Sequence, residues 1–387
     1  MTFPPSDIDL YSDDTLVNTA ARYQALRALG PVVHVPANDL YAITQFRPVK
    51  AALRADDVLI SGKGVAANEP MNSAANEATI TSDGALHNHR RSILMRPLMP
   101  KALKDIQDRV EDTADRLVHD LVSRDGFCGV KDFASHLPLS IVAELVGLEE
   151  EGRGNMLSWA AATFDALGPM NERTSSAMQH ALGLLQYAFQ LRPQTVREGG
   201  WARAILDTSA EGTISPSEAA MMIIDYVAPS LDTTILASAH MLWRLAITPG
   251  AFEALKDDTT LIPSVVNESV RLASPIRSFT RFVQEDYRVE EATIPAGARV
   301  AILYASANWD EGHYENADDF VVGRNARDHV GWGHGPHVCA GQHLARLEME
   351  ALLKALLAQV TTISVEEPQP ILNNVLQGFA ALPARFH

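Results

Sequence analysis

Cysteine is almost missing from this chain: two among 387 residues. That scarcity excludes a disulfide framework and any iron–sulfur cluster held by four thiolates. Cationic side chains are also short, 32 Lys and Arg against 48 Asp and Glu, for a formal net charge of −16. Such a balance argues against nucleic acid and anionic membranes as partners. Proline- or serine-rich linkers, internal repeats and low-complexity runs are lacking, although 387 residues exceed the usual size of one hydrophobic core. The expectation is one domain over residues 1–387, with residues 1–30 as a lead-in and no fused reductase. No apolar run is read as long enough to span a membrane, and the start Met1-Thr-Phe-Pro-Pro-Ser-Asp carries neither a signal peptide nor an anchor. These absences point to a soluble, acidic, cytoplasmic protein, expected to be a monomer, with Cys128 a free thiol.

What is present reads as mainly helical with a minor sheet, an α+β arrangement. Val32-Val-His-Val and Leu40-Tyr-Ala-Ile-Thr alternate around Pro36-Ala-Asn-Asp, which predicts a β-hairpin. A helix is expected to start at Pro48. From about residue 103 to 255 the periodicity is largely helical, with breaks near Gly126, Gly147 and 193–200. Strands return at Tyr287-Arg-Val and Arg299-Val-Ala-Ile-Leu-Tyr, joined by the turn Pro295-Ala-Gly-Ala, and a last hairpin is expected within 375–386.

The densest signal is 331–341, Gly-Trp-Gly-His-Gly-Pro-His-Val-Cys-Ala-Gly. Glycines and a proline surround Cys339, and a helix is expected from Gln342 to Ala358 with Leu344, Leu347, Leu352 and Leu356 near one face. Backbone N–H groups and the positive end of a helix dipole favour thiolate at such a cysteine. Glycines let backbone approach the sulfur and whatever it binds. The loop reads as a socket for a flat metal cofactor held by one sulfur. Two other readings stand beside it: a zinc site using His334, His337 and His343 with Cys339, and an inert buried cysteine in a glycine-rich turn.

The run Trp332-Gly333-His334-Gly335-Pro336-His337-Val338-Cys339-Ala340-Gly341 resembles the haem-binding signature of the cytochromes P450, with Trp332 where phenylalanine is usual. That resemblance covers the chain from about Val32. It implies the family's fold, with haem b (iron protoporphyrin IX) between a long central helix and the helix after the cysteine loop. Cys339 would supply the axial thiolate, and Trp332, Gly333 and Gly341 would belong to the haem socket.

Ser215-Pro216-Ser217-Glu218 is a strong helix start, an N-cap serine, proline at the first position and a capping-box glutamate. The pattern runs on to about Ile247, roughly 48 Å at 1.5 Å per residue. Its buried stripe is Met221, Ile224, Ala228, Leu231, Ile235 and Leu242. Inside lies Ala228-Pro229-Ser230-Leu231-Asp232-Thr233-Thr234, where Pro229 removes a hydrogen bond and bends the helix. On its own this is a simple kink with Thr233 bonded back to a carbonyl. Beside the haem loop it resembles the family's oxygen-binding groove, with Ser230 in place of glycine. The resemblance makes Asp232 and Thr233 the acid–alcohol pair that relays protons to O2.

Glu268 and Arg271 stand at i, i+3 and match the family's Glu-x-x-Arg, with Arg324 completing an ion network that serves folding. His87 and Arg91 match the family's propionate-binding pair, with Gly84 and Ala85 replacing two prolines, and Arg281 and His337 map onto further propionate contacts. Arg90, Arg96, Lys101 and Arg346 are expected near the cysteine side, a basic face for an acidic ferredoxin-type electron donor. No flavin or iron–sulfur motif occurs in the chain, so electrons come from outside.

The distal pocket is expected from 64–85, 163–167, 224–233, 276–279 and 376–379, with Phe164, Ile224, Ala228, Ile276, Phe279 and Phe379 as walls and Arg277 as a candidate carboxylate partner. A small hydrophobic or aromatic substrate suits such walls. The implied activity is a haem-thiolate monooxygenase using O2 to hydroxylate or oxidatively O-dealkylate that substrate. The alternatives are a peroxide-driven peroxygenase and a non-catalytic haem-thiolate sensor or carrier.

Overall fold

A computed structural model describes residues 3–387, so the first two residues of the expected lead-in lie outside it. The rest of that lead-in folds into helices Asp13–Val17 and Thr19–Leu29. Five strands form one sheet in the spatial order Val32–Val35, Leu40–Ile43, Arg299–Leu303, Ser278–Val283, Leu59–Ile60. The expected hairpin is its first pair, with Val32 opposite Ile43 and Val35 opposite Leu40. Asp39 closes its turn at φ 52°, the left-handed region that Asp tolerates.

The helix expected from Pro48 begins earlier, at Phe46, because a distant carboxylate caps it: Asp310 Oδ2 accepts the Phe46 N–H at 2.7 Å. Two strand expectations need correction. Tyr287–Val289 pairs with Ala292–Ile294 in a separate hairpin, so the turn at 295–298 leads into Arg299–Leu303 rather than joining Tyr287–Val289 to it. The C-terminal residues form no hairpin of their own. Phe379–Ala381 pairs with Gln369–Pro370, and Pro383–Phe386 with Phe127–Cys128 and Ile363–Val365. Burial decides this: Leu382 and Phe386 are drawn into the core, where Phe386 meets the ring of Phe127 at 4.5 Å.

The central helix is two helices. Pro216–Val227 starts from the predicted capping box, with Ser215 Oγ accepting from Glu218 N at 3.0 Å and Glu218 Oε2 accepting from Ser215 N at 2.9 Å. Asp232–Ile247 resumes after a break at 228–231. Pro229 has no N–H to continue the ladder, so the turn opens instead of merely bending. Together, Pro216–Ile247 has the length and apolar composition to cross a membrane, which corrects the reading that no run reaches that length; 67% of its apolar window is buried inside the protein. These two helices pack with Gln107–Val122, Ile262–Ala273 and Gln342–Gln359 in the larger core, and a second core lies on the sheet. A cavity remains where the break faces the 331–341 loop.

Candidate active site

Cys339 sits on the wall of that cavity of about 320 Å³. The loop reaches it through Gly333 and Gly335, both at φ 71°, and a Cβ on Gly335 would lie 2.3 Å from the Leu53 carbonyl oxygen. The Cys339 N–H donates to the Trp332 carbonyl at 2.7 Å, closing the loop without using sulfur. Burial pushes the thiol up, opposed by the N–H groups of Gly341 and Gln342 and by the charges of Arg91 and Arg346. The expected donors are in place, yet desolvation outweighs them. The guanidinium of Arg346 lies 5.3 Å over the Trp332 ring. The zinc reading loses its geometry: among the described residues no cluster of three or more His, Cys, Asp or Glu is placed to hold a metal, and His343 is exposed.

His87, Arg91, Arg281 and His337 line the same cavity. The imidazoles of His87 and His337 lie 4.1 Å apart, and Nε2 of each is buried without a hydrogen-bond partner, Asp83 Oδ1 standing 3.9 Å from that of His337. Burial, with Arg281, His87 and Arg91 adding to it, pushes His337 down to about 3; burial and then Arg91 lower His87. Arg91 donates to the Val338 carbonyl and Arg281 to the Thr280 carbonyl at 2.9 Å, leaving most of each fork free. The helix carrying His87 and Arg91 opens at Gly84, whose φ of 55° proline cannot adopt.

Phe164, Ile224, Ala228, Ile276 and Phe279 all line the cavity as expected, as do Pro229, Ser230 and Thr233 from the break. Thr233 Oγ1 donates to the Pro229 carbonyl at 2.9 Å, and the Ser230 hydroxyl donates to the Tyr226 carbonyl. Asp232 stands behind that wall. Its Oδ2 has no partner, and burial pushes the carboxyl up to about 7.

Two expected wall residues are elsewhere. Arg277 is 2% exposed and faces away from the cavity. Its guanidinium donates to the carbonyls of Asn373 at 2.7 Å, Leu16 at 3.1 Å and Leu376, and to Thr19 Oγ1 at 3.2 Å. The extended backbone alternates faces, so with Ile276 turned to the cavity its neighbour must point away. Phe379 also misses the cavity, packing against Trp243 at 5.4 Å and His240 at 5.9 Å. Arg90, expected on a basic outer face, is 4% exposed and ion-paired with Glu218 at 3.1 Å; Arg96 and Lys101 are exposed.

Glu268 and Arg271 form a fully buried pair, Nε to Oε2 at 2.7 Å and Nη2 to Oε1 at 2.8 Å. Arg324 Nε reaches Glu268 Oε1 at 2.9 Å.

Sequence reasoning missed two carboxyls on the cavity wall, Asp225 and Glu348. Both were visible as acids inside apolar stripes, Asp225 beside Ile224 and Glu348 one turn after Leu344. Glu348 is 1% exposed, its Oε1 has no partner, and burial pushes it up to about 8. That value lies above the unfolded carboxyl range of roughly 4.3. Stability is therefore full below about pH 4 and lost as pH rises through about 8. Glu348→Gln keeps the shape and removes the titration. Urea unfolding should show the variant gaining on the wild type by on the order of 3 kcal/mol between about pH 5 and pH 8. A gap that does not widen would mean that the carboxyl finds a partner or solvent.

A helical protein whose cavity has one enclosed sulfur on its wall, basic side chains at one edge and a broken helix opposite is arranged as a thiolate-ligated redox enzyme would be. The comparisons make the family explicit. The family model described as Cytochrome P450 matches residues 155–386. The chain is 31% identical over 388 residues to cytochrome P450 CYP199A2 of Rhodopseudomonas palustris, covering 98% of this chain and 94% of that protein. It is 28% identical over 392 residues to the beta-dihydromenaquinone-9 omega-hydroxylase of Mycobacterium tuberculosis, covering 97% of this chain and 78% of that protein. The structure of Mycobacterium marinum cytochrome P450 CYP268A2 in complex with pseudoionone superposes with a TM-score of 0.88 at 25% identity, covering 99% of both chains. This chain belongs to the cytochrome P450 family, and is a haem-thiolate monooxygenase that uses O2.

Proposed function

We propose that this cavity would hold haem b, with Cys339 supplying a thiolate to its iron and His87, Arg91, Arg281 and His337 binding its carboxylates. The observation that carries this is one enclosed sulfur sharing a cavity with four cationic or basic groups whose donors are left over. A Cβ at Gly341 would meet nothing within 4 Å, so the backbone beside the sulfur is open to a flat group. Trp332 and Gly333 wall that socket. Haem held there supplies O2 activation once an electron donor reduces it.

The protein's part is to fix charge and protons. Two carboxylates brought between the arginines and imidazoles form charge-assisted hydrogen bonds and draw the histidines back toward the protonated form. Asp232, pushed up to about 7, takes and gives a proton near neutral pH. Thr233 passes it on after turning its hydroxyl from the Pro229 carbonyl into the cavity. Glu268, Arg271 and Arg324 hold the fold around the loop. Apolar walls at Phe164, Ile224, Ala228, Ile276 and Phe279 exclude water and suit a small hydrophobic or aromatic substrate, hydroxylated or oxidatively O-dealkylated in a single domain acting as a monomer. Electrons come from a separate ferredoxin-type protein docking at the cysteine side on Arg96, Lys101 and Arg346, with Arg90 removed from that face by Glu218.

Thr233→Ala tests the relay. The variant should keep its haem content and consume oxygen with an external donor, but yield hydrogen peroxide in place of most oxygenated product. Unchanged coupling, or product formed only from added peroxide, would favour the peroxygenase reading. No oxygen consumption with any bound ligand in the wild type would favour the sensor.

A further inference from the structure

We propose that Asp225 is the polar anchor of the substrate end of the cavity and selects small molecules with an apolar body and one hydrogen-bond-donating end, an amine or a hydroxyl, over carboxylates. The proposal deepens the monooxygenase reading and rests on it for the identity of the cavity.

Asp225 lies on Pro216–Val227, one helical turn before Ala228, and belongs to the cavity wall. Protein encloses it on all sides, yet it keeps accessible surface, because that surface is cavity wall. Its Oδ2 accepts the Thr79 N–H at 2.9 Å. No salt bridge reaches the carboxyl among the described residues, and Arg90, the cation that acts on it, is held by Glu218. A carboxylate offers about four acceptor sites, so capacity is left over. Burial raises it to about 6, so it remains ionised at about pH 7.5.

The Thr79 hydroxyl beside Asp225 has no partner of its own and helps hold that carboxyl ionised, whereas other polar groups nearby are used within the protein. Thr163 donates to the Trp159 carbonyl at 2.7 Å, Thr81 to the Ala78 carbonyl at 3.2 Å, and the Tyr226 hydroxyl to the Leu94 carbonyl at 2.7 Å. Asn72 exchanges both its groups with Ala66. The two arginines Arg91 and Arg281 stand together with the imidazoles of His87 and His337 at the loop edge, and Arg277 is outside the cavity altogether. The substrate end therefore presents apolar walls and one anion with the Thr79 hydroxyl beside it. An entering carboxylate would meet like charge with no counter-ion, whereas a donor is held by a charge-assisted bond in a place that water leaves.

The test uses four ligands on one frame: para-methoxybenzylamine, para-methoxybenzyl alcohol, para-methoxytoluene and para-methoxybenzoate. Binding to the haem-loaded protein at about pH 7.5 is read by calorimetry, with the Soret shift alongside. The amine and the alcohol should bind at least about 10-fold more tightly than the benzoate, since hydrogen bonds to a charged group discriminate at that level. Asp225→Asn should lose the preference for the amine while keeping the alcohol, and Asp225→Leu should weaken both and strengthen para-methoxytoluene. Benzoate binding as tightly as the amine in the wild type, or an order unchanged in both variants, would overturn the proposal. The calorimetric ranking does not depend on the thiolate spectrum. A normal reduced CO spectrum with a flat ranking removes Asp225 alone, whereas the expected ranking without the thiolate band would keep Asp225 and remove the haem reading.

Discussion

Cys339→Ser is expected to leave a folded protein that has lost the red-shifted Soret band of the reduced CO complex and its oxygen-dependent turnover. The substitution exchanges one atom. The loop around it is closed by the Cys339 N–H on the Trp332 carbonyl and by the backbone of Gly333 and Gly335, none of which uses sulfur. What changes is the ligand's acidity. The cysteine thiol already stands high because of burial, and only the N–H groups of Gly341 and Gln342 with Arg91 and Arg346 oppose that. A bound metal cation tips such a thiol to thiolate outright. A serine hydroxyl starts several units higher and stays protonated in the same enclosure, so the electron-rich ligand is gone. The measurement is the reduced, CO-saturated spectrum beside haem content. Cys128→Ser is the control, since that sulfur lies near Lys131 N at 3.5 Å and outside the cavity. A serine variant that keeps the thiolate band would remove Cys339 from the ligand role and the monooxygenase mechanism with it.

The chemistry was legible where it is local. The Cys339 loop, the Ser215 capping box and the hairpin at Val32–Val35 and Leu40–Ile43 each depend on neighbours a few residues away, and each stands where the spacing put it. Expectations failed where distant groups decide. Asp310 caps a helix 264 residues away, which moved its start from Pro48 to Phe46. Arg277 is held by carbonyls of residues 16, 373 and 376 and by the Thr19 hydroxyl, and no local pattern announces a guanidinium satisfied by such distant neutral acceptors. Phe379 and the rest of 376–379 lie off the cavity, where Phe379 packs on Trp243 and His240 from a distant helix. Asp225 and Glu348 were readable as acids in apolar stripes, but only the closed cavity separates an acid facing a substrate from one facing solvent.

The broken helix connects these levels. Pro229 forfeits one backbone hydrogen bond, and the resulting gap at 228–231 is bridged on one side by the Ser230 hydroxyl and on the other by Thr233 Oγ1, both bonded to carbonyls one turn back. The hydroxyls thus do two jobs at different times: they satisfy carbonyls that the break exposes, and they are donors on the cavity wall. The neighbouring Asp232 carboxyl, unpartnered at Oδ2, stands behind that wall, one residue from Thr233 on it.

Glu268→Ala is expected to cost about 3–5 kcal/mol of folding stability, the range for removing one member of a buried ion pair. That is a large share of a typical total of roughly 5–15 kcal/mol. Glu268 receives two guanidinium bonds from Arg271, one from Arg324 and the Val321 N–H at 3.2 Å. Without it Arg271, fully buried, keeps a charge with no anion to answer it, left with the carbonyls of Asn308 and Ala317, each at 2.7 Å, and Asp319 at 3.3 Å, and the Tyr314 ring at 4.8 Å. The damage reaches the site by a short route. Asn308 Oδ1 accepts the Val330 N–H at 2.8 Å, one residue before the cysteine loop begins. The alanine variant should therefore release haem more readily as well as unfold earlier. A double variant, Glu268→Met with Arg271→Met, separates stranded charge from lost packing, because it removes the uncompensated Arg271. If stranded charge dominates, the double variant is more stable than Glu268→Ala in heat and urea unfolding. If it is less stable, the network acts through its hydrogen bonds to 308–321 rather than through its charge.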